Sequence, residues 1–564
     1  MSRAQFLSYK DWLEKSSKQL PKYHEKKRSS KTQPSKQSKG YSCILLAVTL
    51  LIIIPLSVAL IEVFLPIIIG LSILSLVLSL LGFKFSPLTR FSSEESIHLD
   101  PFNRHILSGT PLMYYRDVDN KFSKIEQENN YFINIAGLRC PASLLSRHLF
   151  LMGQSGSGKT LILSLLLNSV AQRFKEQHKV RALVHDFGNT LYPSLKNAGL
   201  NPILFNPFAV QGGARWDISK DCLSEDAARQ LSAGIVNSSG NLSEAPFYNA
   251  AIRHTIAAIL AYLAKERGES NWGLSDICEV ASEPELLKAA LEATNTGQLA
   301  KGYFLGNSEM AGSARAVLRQ AVFEIRGVAE MMDKQSEVFS VREWSRNWRT
   351  TLVLSYPFDR HESMKVVSGM FMQAVAESLL SKEALEIEEQ KSGNCQTYLF
   401  LDELQILPML PSLSNLLNFS RKFGGAIVMV AQSRALLNSI YGKDVTEGMI
   451  SNCQTQLYCR CFGEDAEWAS KLFGSVEVES ETETRSESRS INYSQTDTLS
   501  RTQLLKPNVS PDQLMLRPII STDNSVGGFG ISQYGGFVFE LEASYLYEQG
   551  LSAPVESSGS LVIS

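Results

Sequence analysis

Residues 43 to 83 are almost continuously apolar, and the forty residues before them are polar and basic. That apolar length is about twice the ~20 residues an α-helix needs to cross a bilayer. Glu62, flanked by Pro55 and Pro66, interrupts it near the middle. A carboxylate at the centre of a bilayer is costly. The pattern therefore predicts two transmembrane helices, 42–61 and 65–83, joined by a turn at Glu62. Basic residues precede the first span and follow the second (Lys84, Arg90), and the turn has none. The positive-inside rule then places both termini in the cytoplasm and only a short loop outside. A secretory leader would be shorter and end in a small-residue cleavage site. A hairpin buried in a globular core is the competing reading, and the hydrophobic length argues against it.

Beyond the apolar block, residues 84–145 are a connecting segment of mixed character. Strand-like runs then alternate with helical periodicity. Arg147 to Met152 reads as a short buried strand and Leu161 to Val170 as an apolar helix. Val180 to Asp186 and Ile203 to Phe205 are further strands. From Asp217 to about Glu330 strand signals stop and helical Ala/Leu/Glu periodicity takes over, in Ala250–Ala264, Glu283–Ala300 and Ala314–Val328. Strand character returns at Thr350–Ser355, with a helix over Met364–Leu380 and strands at Thr397–Glu403 and Ala426–Ser433. The expected architecture is α/β, an open parallel sheet split by a helical insertion. The expected divisions are a basic tail (1–40), membrane helices (41–83), a connector (84–145), a first α/β part (146–216), the insertion (217–345), a second α/β part (346–550) and a tail (551–564). Residues 474–501, rich in Ser, Thr, Glu and Arg, read as a solvated hairpin or a loop. Residues 529–541 alternate like a hairpin turning at Gly535-Gly536.

Charge changes this picture only locally. The chain holds 55 Lys and Arg against 57 Asp and Glu, so a nucleic-acid partner must meet a local basic surface. The first forty residues carry eleven basic and three acidic residues, a solvated tail by composition. Eight cysteines are scattered without a C-x-x-C pair, which argues for reduced thiols and against a disulfide framework or a zinc site. Cys459 and Cys461 read as two residues on one strand face.

The chemistry concentrates at strand ends. Gly153-Gln154-Ser155-Gly156-Ser157-Gly158-Lys159-Thr160 has the G-x-x-x-x-G-K-[ST] spacing of a phosphate-binding loop. Glycines let the backbone N–H groups surround a polyphosphate, at the positive end of the following helix. Lys159 would reach the β- and γ-phosphates, and the Thr160 hydroxyl would hold Mg²⁺. ATP with Mg²⁺ is the expected substrate pair. Tyr398 to Leu401 run into Asp402-Glu403, the form of a Walker B strand: Asp402 for the metal, Glu403 to polarise the attacking water. Gln432 ends the next apolar strand, as a γ-phosphate sensor or as a helix cap. Polar residues on successive strand ends beside a phosphate loop follow the rule for open α/β sheets.

These residues, with several others, resemble the type IV secretion coupling proteins of the TraD/TrwB kind, membrane-anchored relatives of the FtsK/HerA motors. The resemblance spans roughly 40 to 545. It rests on Arg147-His148 with Gly153–Thr160, on Asn206-Pro207-Phe208 with Ala214-Arg215-Trp216-Asp217, and on Phe339-Ser340-Val341-Arg342-Glu343-Trp344. Leu401-Asp402-Glu403, Arg421-Lys422-Phe423-Gly424-Gly425, Ala431-Gln432-Ser433 and Ile440-Tyr441-Gly442 also match. It implies a RecA-like nucleotide-binding domain with an inserted all-α domain and an N-terminal transmembrane helical hairpin. It also implies a homo-hexamer at the bacterial inner membrane that uses ATP to engage DNA, without reading its sequence, and to deliver relaxase-bound DNA to a conjugative channel. Arg421 would be an arginine finger reaching a neighbour's ATP, and Arg147 a second arginine at that interface. Two departures stand out. The turn between the spans leaves no room for a periplasmic domain, and Asp186-Phe187-Gly188-Asn189-Thr190 lacks the glutamate usual after that aspartate. Two other readings share the catalytic residues: an ATP-switched platform recruiting protein effectors to a secretion channel, and an FtsK-like chromosome pump.

Overall fold

The computed structural model describes residues 132–541 apart from 177–179, 237–245, 305–308, 382–396, 490–492 and 517–525, with parts of 102–118. The expected spans 42–61 and 65–83, the basic tail and the tail after 551 lie outside the described residues. Among the described residues, no helix is long and apolar enough to cross a membrane.

Among the described residues sixteen strands occur, in chain order β1 (Ile106–Ser108), β2 (Phe132–Ile135), β3 (Leu138–Pro141), β4 (Leu149–Met152), β5 (Arg181–His185), β6 (Ile203–Phe205), β7 (Ala214–Trp216) and β8 (Glu337–Phe339). They continue with β9 (Thr351–Leu354), β10 (Thr397–Leu401), β11 (Gly425–Ala431), β12 (Thr455–Tyr458), β13 (Ser475–Arg489), β14 (Tyr493–Pro507), β15 (Val526–Ser532) and β16 (Gly535–Leu541). Nine form one sheet in the order β16-β15-β12-β4-β11-β10-β5-β9-β6. From β12 to β6 every pairing is parallel, in register Leu149↔Val428, Leu401↔Met429 and Leu401↔His185 among others. The β15–β16 hairpin adds antiparallel strands beside β12.

The central strands are buried along their whole length, as expected of a parallel sheet covered on both faces. Successive side chains point to opposite faces, and this divides the core in two. Phe150, Met152, Leu183, Leu399, Leu401, Ile427 and Met429 join one cluster. Leu149, Leu151, Val184, Phe400, Val428 and Val430 join the other, packed with Leu163, Leu166 and Val170 of helix α1 (Lys159–Glu176). Helix α1 thus extends the expected 161–170 at both ends.

Between β6 and β9 the chain runs through α2 (Glu225–Val236), α3 (Pro246–Arg267), α4 (Leu274–Ser282), α5 (Pro284–Ala293), α6 (Asn295–Phe304), α7 (Glu309–Met332) and α8 (Val341–Arg346). The single helix expected over 283–300 is two, broken at Thr294, whose backbone is extended. This helical block is tied at its base. Strands β7 and β8 pair in parallel where it begins and ends. Asp221 adds three bonds across the same clasp, accepting from Trp216 Nε1 at 2.6 Å, Val341 N at 2.9 Å and Arg342 N at 2.8 Å. Burial raises the Asp221 carboxyl to about 6. The helix expected over 364–380, α9, spans His361–Leu379. Gly234 of α2 meets it so closely that a Cβ there would stand 2.4 Å from Gly369 O.

Residues 475–507 settle the open alternative as a hairpin, β13 and β14 pairing antiparallel from Ser475↔Pro507 to Arg489↔Tyr493. The expected turn at Gly535-Gly536 instead falls at Gln533-Tyr534. Gly535 opens β16 with φ 116°, a backbone that favours glycine. Cys459 and Cys461 are not on one strand face, because β12 ends at Tyr458. Both are buried free thiols. Among the described residues no group of His, Cys, Asp and Glu could hold a metal through three side chains.

Candidate nucleotide-binding site

The carboxyl ends of β4, β11 and β10 lie side by side, since β11 is paired with both of the others. Each strand delivers one part of the site. Past β4, Gly153 N donates to Ala431 O at 3.2 Å and Gln154 N to Arg460 O at 2.9 Å, which pins the loop across β11 and the end of β12. Ser155, Gly156 and Thr160 are exposed, while Ser157 and Lys159 are buried. Gly158 has φ 90°, and a Cβ there would stand 2.4 Å from Val526 Cγ1 of β15. Only glycine fits, and α1 starts at the next residue with its unpaired amide N–H groups facing the loop.

Lys159 Nζ donates to Gln154 O at 3.1 Å and stands 4.0 Å from Glu403 Oε1. Glu403 follows β10 in the left-handed region, φ 48° and ψ 55°, a conformation non-glycine residues adopt rarely. Gln432, at the end of β11, donates through Nε2 to Glu403 Oε1 at 3.1 Å. The helix after it, Arg434–Tyr441, is capped by Ser433, whose side chain accepts from Leu436 N. The cap position thus belongs to Ser433, and Gln432 faces the carboxylate. Gln405 donates to the other oxygen, Glu403 Oε2.

Asp402 is buried, and its carboxyl is pushed up to about 7, first by burial, then by Glu403 and Asp186. A buried carboxylate crowded by two others and short of donors is what a divalent cation relieves. The residues present therefore fit Mg²⁺, with Asp402 and Thr160 as those that would hold it.

Three residues around the site carried no role, or an open one, in the sequence. His185 donates from Nδ1 to Asp402 O at 2.6 Å, and its Nε2 lies 3.3 Å from Tyr356 OH. Burial lowers its pKa to about 4, so the ring is neutral. Asp186 accepts from Thr190 N, Thr190 Oγ1, Leu191 N and Tyr192 N, which accounts for it as the organiser of its own turn. Gln405 is the third. A histidine or glutamine in an apolar run gives no local signal of such contacts.

Arg147 and Arg421 are not in this cluster. Arg147 ends the turn before β4 and donates to Gln454 Oε1 at 2.7 Å. Arg421 is exposed in the turn Ser420–Phe423 before β11. Both precede strands whose far ends carry the site, so the two arginines flank the opposite edge of the sheet, at least the length of β4 away, about 13 Å at ~3.3 Å per residue. Between them His148 accepts from Ile427 N through Nδ1 at 3.1 Å and donates from Nε2 to Leu417 O at 2.9 Å. It thereby satisfies a β11 amide where β4 has not yet begun. Burial chiefly, and the Arg421 charge, hold its pKa at about 4.

Comparison with known proteins agrees with this geometry. The family model described as type IV secretion-system coupling protein DNA-binding domain matches residues 132–522. Coupling protein TraD of Escherichia coli (strain K12) is 28% identical over 335 residues, 58% of this chain and 44% of TraD. The chain thus matches less than half of that relative's length. The solved structure of bacterial conjugative coupling protein TrwBdeltaN70, unbound, superposes with a TM-score of 0.60 at 19% identity, covering 78% of this chain and 93% of that one. TrwB in complex with ADP and Mg²⁺ gives 0.60 at 19% identity, over 78% and 94%. At that identity the likeness establishes the fold alone, an α/β architecture built on one large sheet. With the family model covering well over half of its length, this chain belongs to the type IV secretion-system coupling proteins.

Proposed function

We propose that this coupling protein hydrolyses ATP to move DNA, without reading its sequence, from a relaxase complex into a conjugative type IV secretion channel. The observation that carries the reading is the convergence of Lys159, Glu403 and Gln432 on one point at the carboxyl edge of the sheet. In this reading the loop Gly153–Thr160 and Lys159 bind the phosphates. Asp402 and Thr160 would hold Mg²⁺, which would supply charge neutralisation on the phosphates. Glu403 takes the proton of a water whose oxygen bonds to the γ-phosphorus, while the bridging oxygen leaves on ADP. Gln432 would report the γ-phosphate, a reading supported by its hydrogen bond to Glu403 from the strand between loop and base. TrwB has been solved with ADP and Mg²⁺ and with an ATP analogue, which supports ATP and Mg²⁺ as the pair bound here.

Arg421 and Arg147, remote from their own chain's site, serve a neighbour's phosphates in a homo-hexamer. An arginine supplied in trans stabilises charge developing on the γ-phosphate. The apolar block 42–83 anchors the assembly in the bacterial inner membrane with both termini and the ATPase in the cytoplasm. Residues 217–345, helical apart from β8, act as a domain inserted in a RecA-like one. The test is steady-state ATPase of the full-length protein in detergent or lipid, with and without DNA. DNA-stimulated turnover that disappears in Lys159→Ala supports the reading. Turnover indifferent to DNA, with effector proteins bound instead, would favour a recruiting platform.

A further inference from the structure

We propose that Gln405 is a positioning residue that holds Glu403 in a resting orientation, and that its release sets how fast the site turns over when no DNA is engaged. The inference rests on the reading of Glu403 as the general base.

Both oxygens of Glu403 are taken. Oε1 accepts from Gln432 Nε2 at 3.1 Å and faces the Lys159 ammonium at 4.0 Å; Oε2 accepts from Gln405 Nε2. Three of the roughly four acceptor directions of this carboxylate thus face a donor or a cation, which fixes its orientation and leaves little room for a water. The residue is held in left-handed backbone as well, a conformation that persists only where its surroundings impose it.

The three contacts are not equivalent once phosphates arrive. Lys159 belongs to the phosphate loop and Gln432 stands beside it, so bound phosphates compete with Glu403 for both. Gln405 belongs instead to the short turn Leu404–Ile406 that follows β10, on the same strand end as Glu403. Its grip outlasts nucleotide binding. The rest of the Gln405 amide points to the same role. Its Oε1 is buried without a hydrogen-bond partner, a cost that packing alone does not explain. Chemistry also fixes which end of the amide meets Glu403, since a carbonyl oxygen there would face a carboxylate.

The experiment compares wild type with Gln405→Ala and with Gln405→Glu, which keeps the shape and replaces the donor by a like charge, all as full-length protein. Turnover number and KM for ATP are measured with and without saturating DNA, and nucleotide affinity separately by equilibrium binding. Both variants should raise the DNA-free turnover about three- to tenfold, the scale of one ordinary net hydrogen bond. Affinity and the DNA-saturated rate should stay as in wild type, so the stimulation ratio shrinks. Gln405→Asn, with a shorter donor, should fall between. A DNA-free turnover that is unchanged or lower in both variants, while Glu403→Gln abolishes it, overturns the resting hold and leaves the base assignment standing. Wild-type turnover in Glu403→Gln overturns the base assignment and this inference with it.

Discussion

The Lys159 ammonium stands 4.0 Å from Glu403 Oε1, so the cation proposed to bind phosphate and the carboxylate proposed to polarise water face each other. Each is buried enough to matter: Lys159 is 5% exposed and Glu403 19%. Removing either alone leaves the other without its counter-charge.

The two single variants should therefore fail differently. Lys159→Ala should lose nucleotide affinity as well as turnover. Glu403→Gln should keep affinity and lose about 10²-fold or more in turnover, the usual scale for a positioned base. Equilibrium binding of a fluorescent ATP analogue beside steady-state hydrolysis separates them, and equal loss of affinity in both would contradict the assignment.

Arg421 and Arg147 give a prediction about mixtures. Arg421→Ala should lower turnover about 10³-fold, the scale of an arginine supplied in trans, without weakening nucleotide binding to its own chain. Mixing Arg421→Ala chains with Glu403→Gln chains should restore activity, because some interfaces then pair an intact Arg421 with an intact Glu403. Hydrolysis should also rise more than linearly with protein concentration. Mixtures no more active than the average of their parents would remove the role in trans.

Engagement of DNA through its backbone predicts salt dependence without sequence preference. The logarithm of affinity should fall linearly with the logarithm of salt, by about 0.9 per phosphate neutralised on duplex and ~0.7 on single strands. Fluorescence anisotropy with two unrelated sequences, each as single strand and duplex, measures both. A shallow slope with strong preference for one sequence would point to base readout instead.

His148 couples the arginine edge to pH. Its pKa is about 4 in the fold against an ordinary 6.5, so the fold favours the neutral ring. Its contribution to stability is complete above pH 6.5 and is lost as pH falls from there through 4, because the unfolded chain binds the extra proton. At ~1.36 kcal/mol per unit this amounts to about 3 kcal/mol. His185, also lowered to about 4, adds a slope of the same sign. Asp402, raised to about 7, adds the opposite one, its cost growing as pH rises from about 4 toward 7. The wild-type curve is thus a sum, and the comparison with His148→Gln isolates the histidine. The variant should lose less stability than wild type on acidification. Parallel melting curves across that window would contradict the neutral His148.

The phosphate loop and the Asp402-Glu403 pair were legible in the sequence because each is a run of adjacent residues on one strand end. So was the division into sheet and helical block, since burial on both faces makes β4, β5, β10 and β11 continuously apolar. The clasp under the helical block was not legible, because Asp221 meets Val341 and Arg342 more than a hundred residues away. The same holds for the ring of His148, which bonds Ile427, and for Gln405, whose neighbour in sequence gives no hint of its direction. The turn between β15 and β16 was misplaced because Gly535 was read as its centre, whereas it supplies the positive φ that starts the next strand.

That Arg147 and Arg421 flank one edge of the sheet while Lys159 and Glu403 occupy the other has a geometric corollary. A contact that brings the first pair onto the second joins unlike surfaces, so two copies related by a dyad cannot satisfy it. Each added copy leaves one unused edge at either end of the chain of copies, and only rotation back onto the first copy removes both. Closure is then what makes every catalytic centre equivalent.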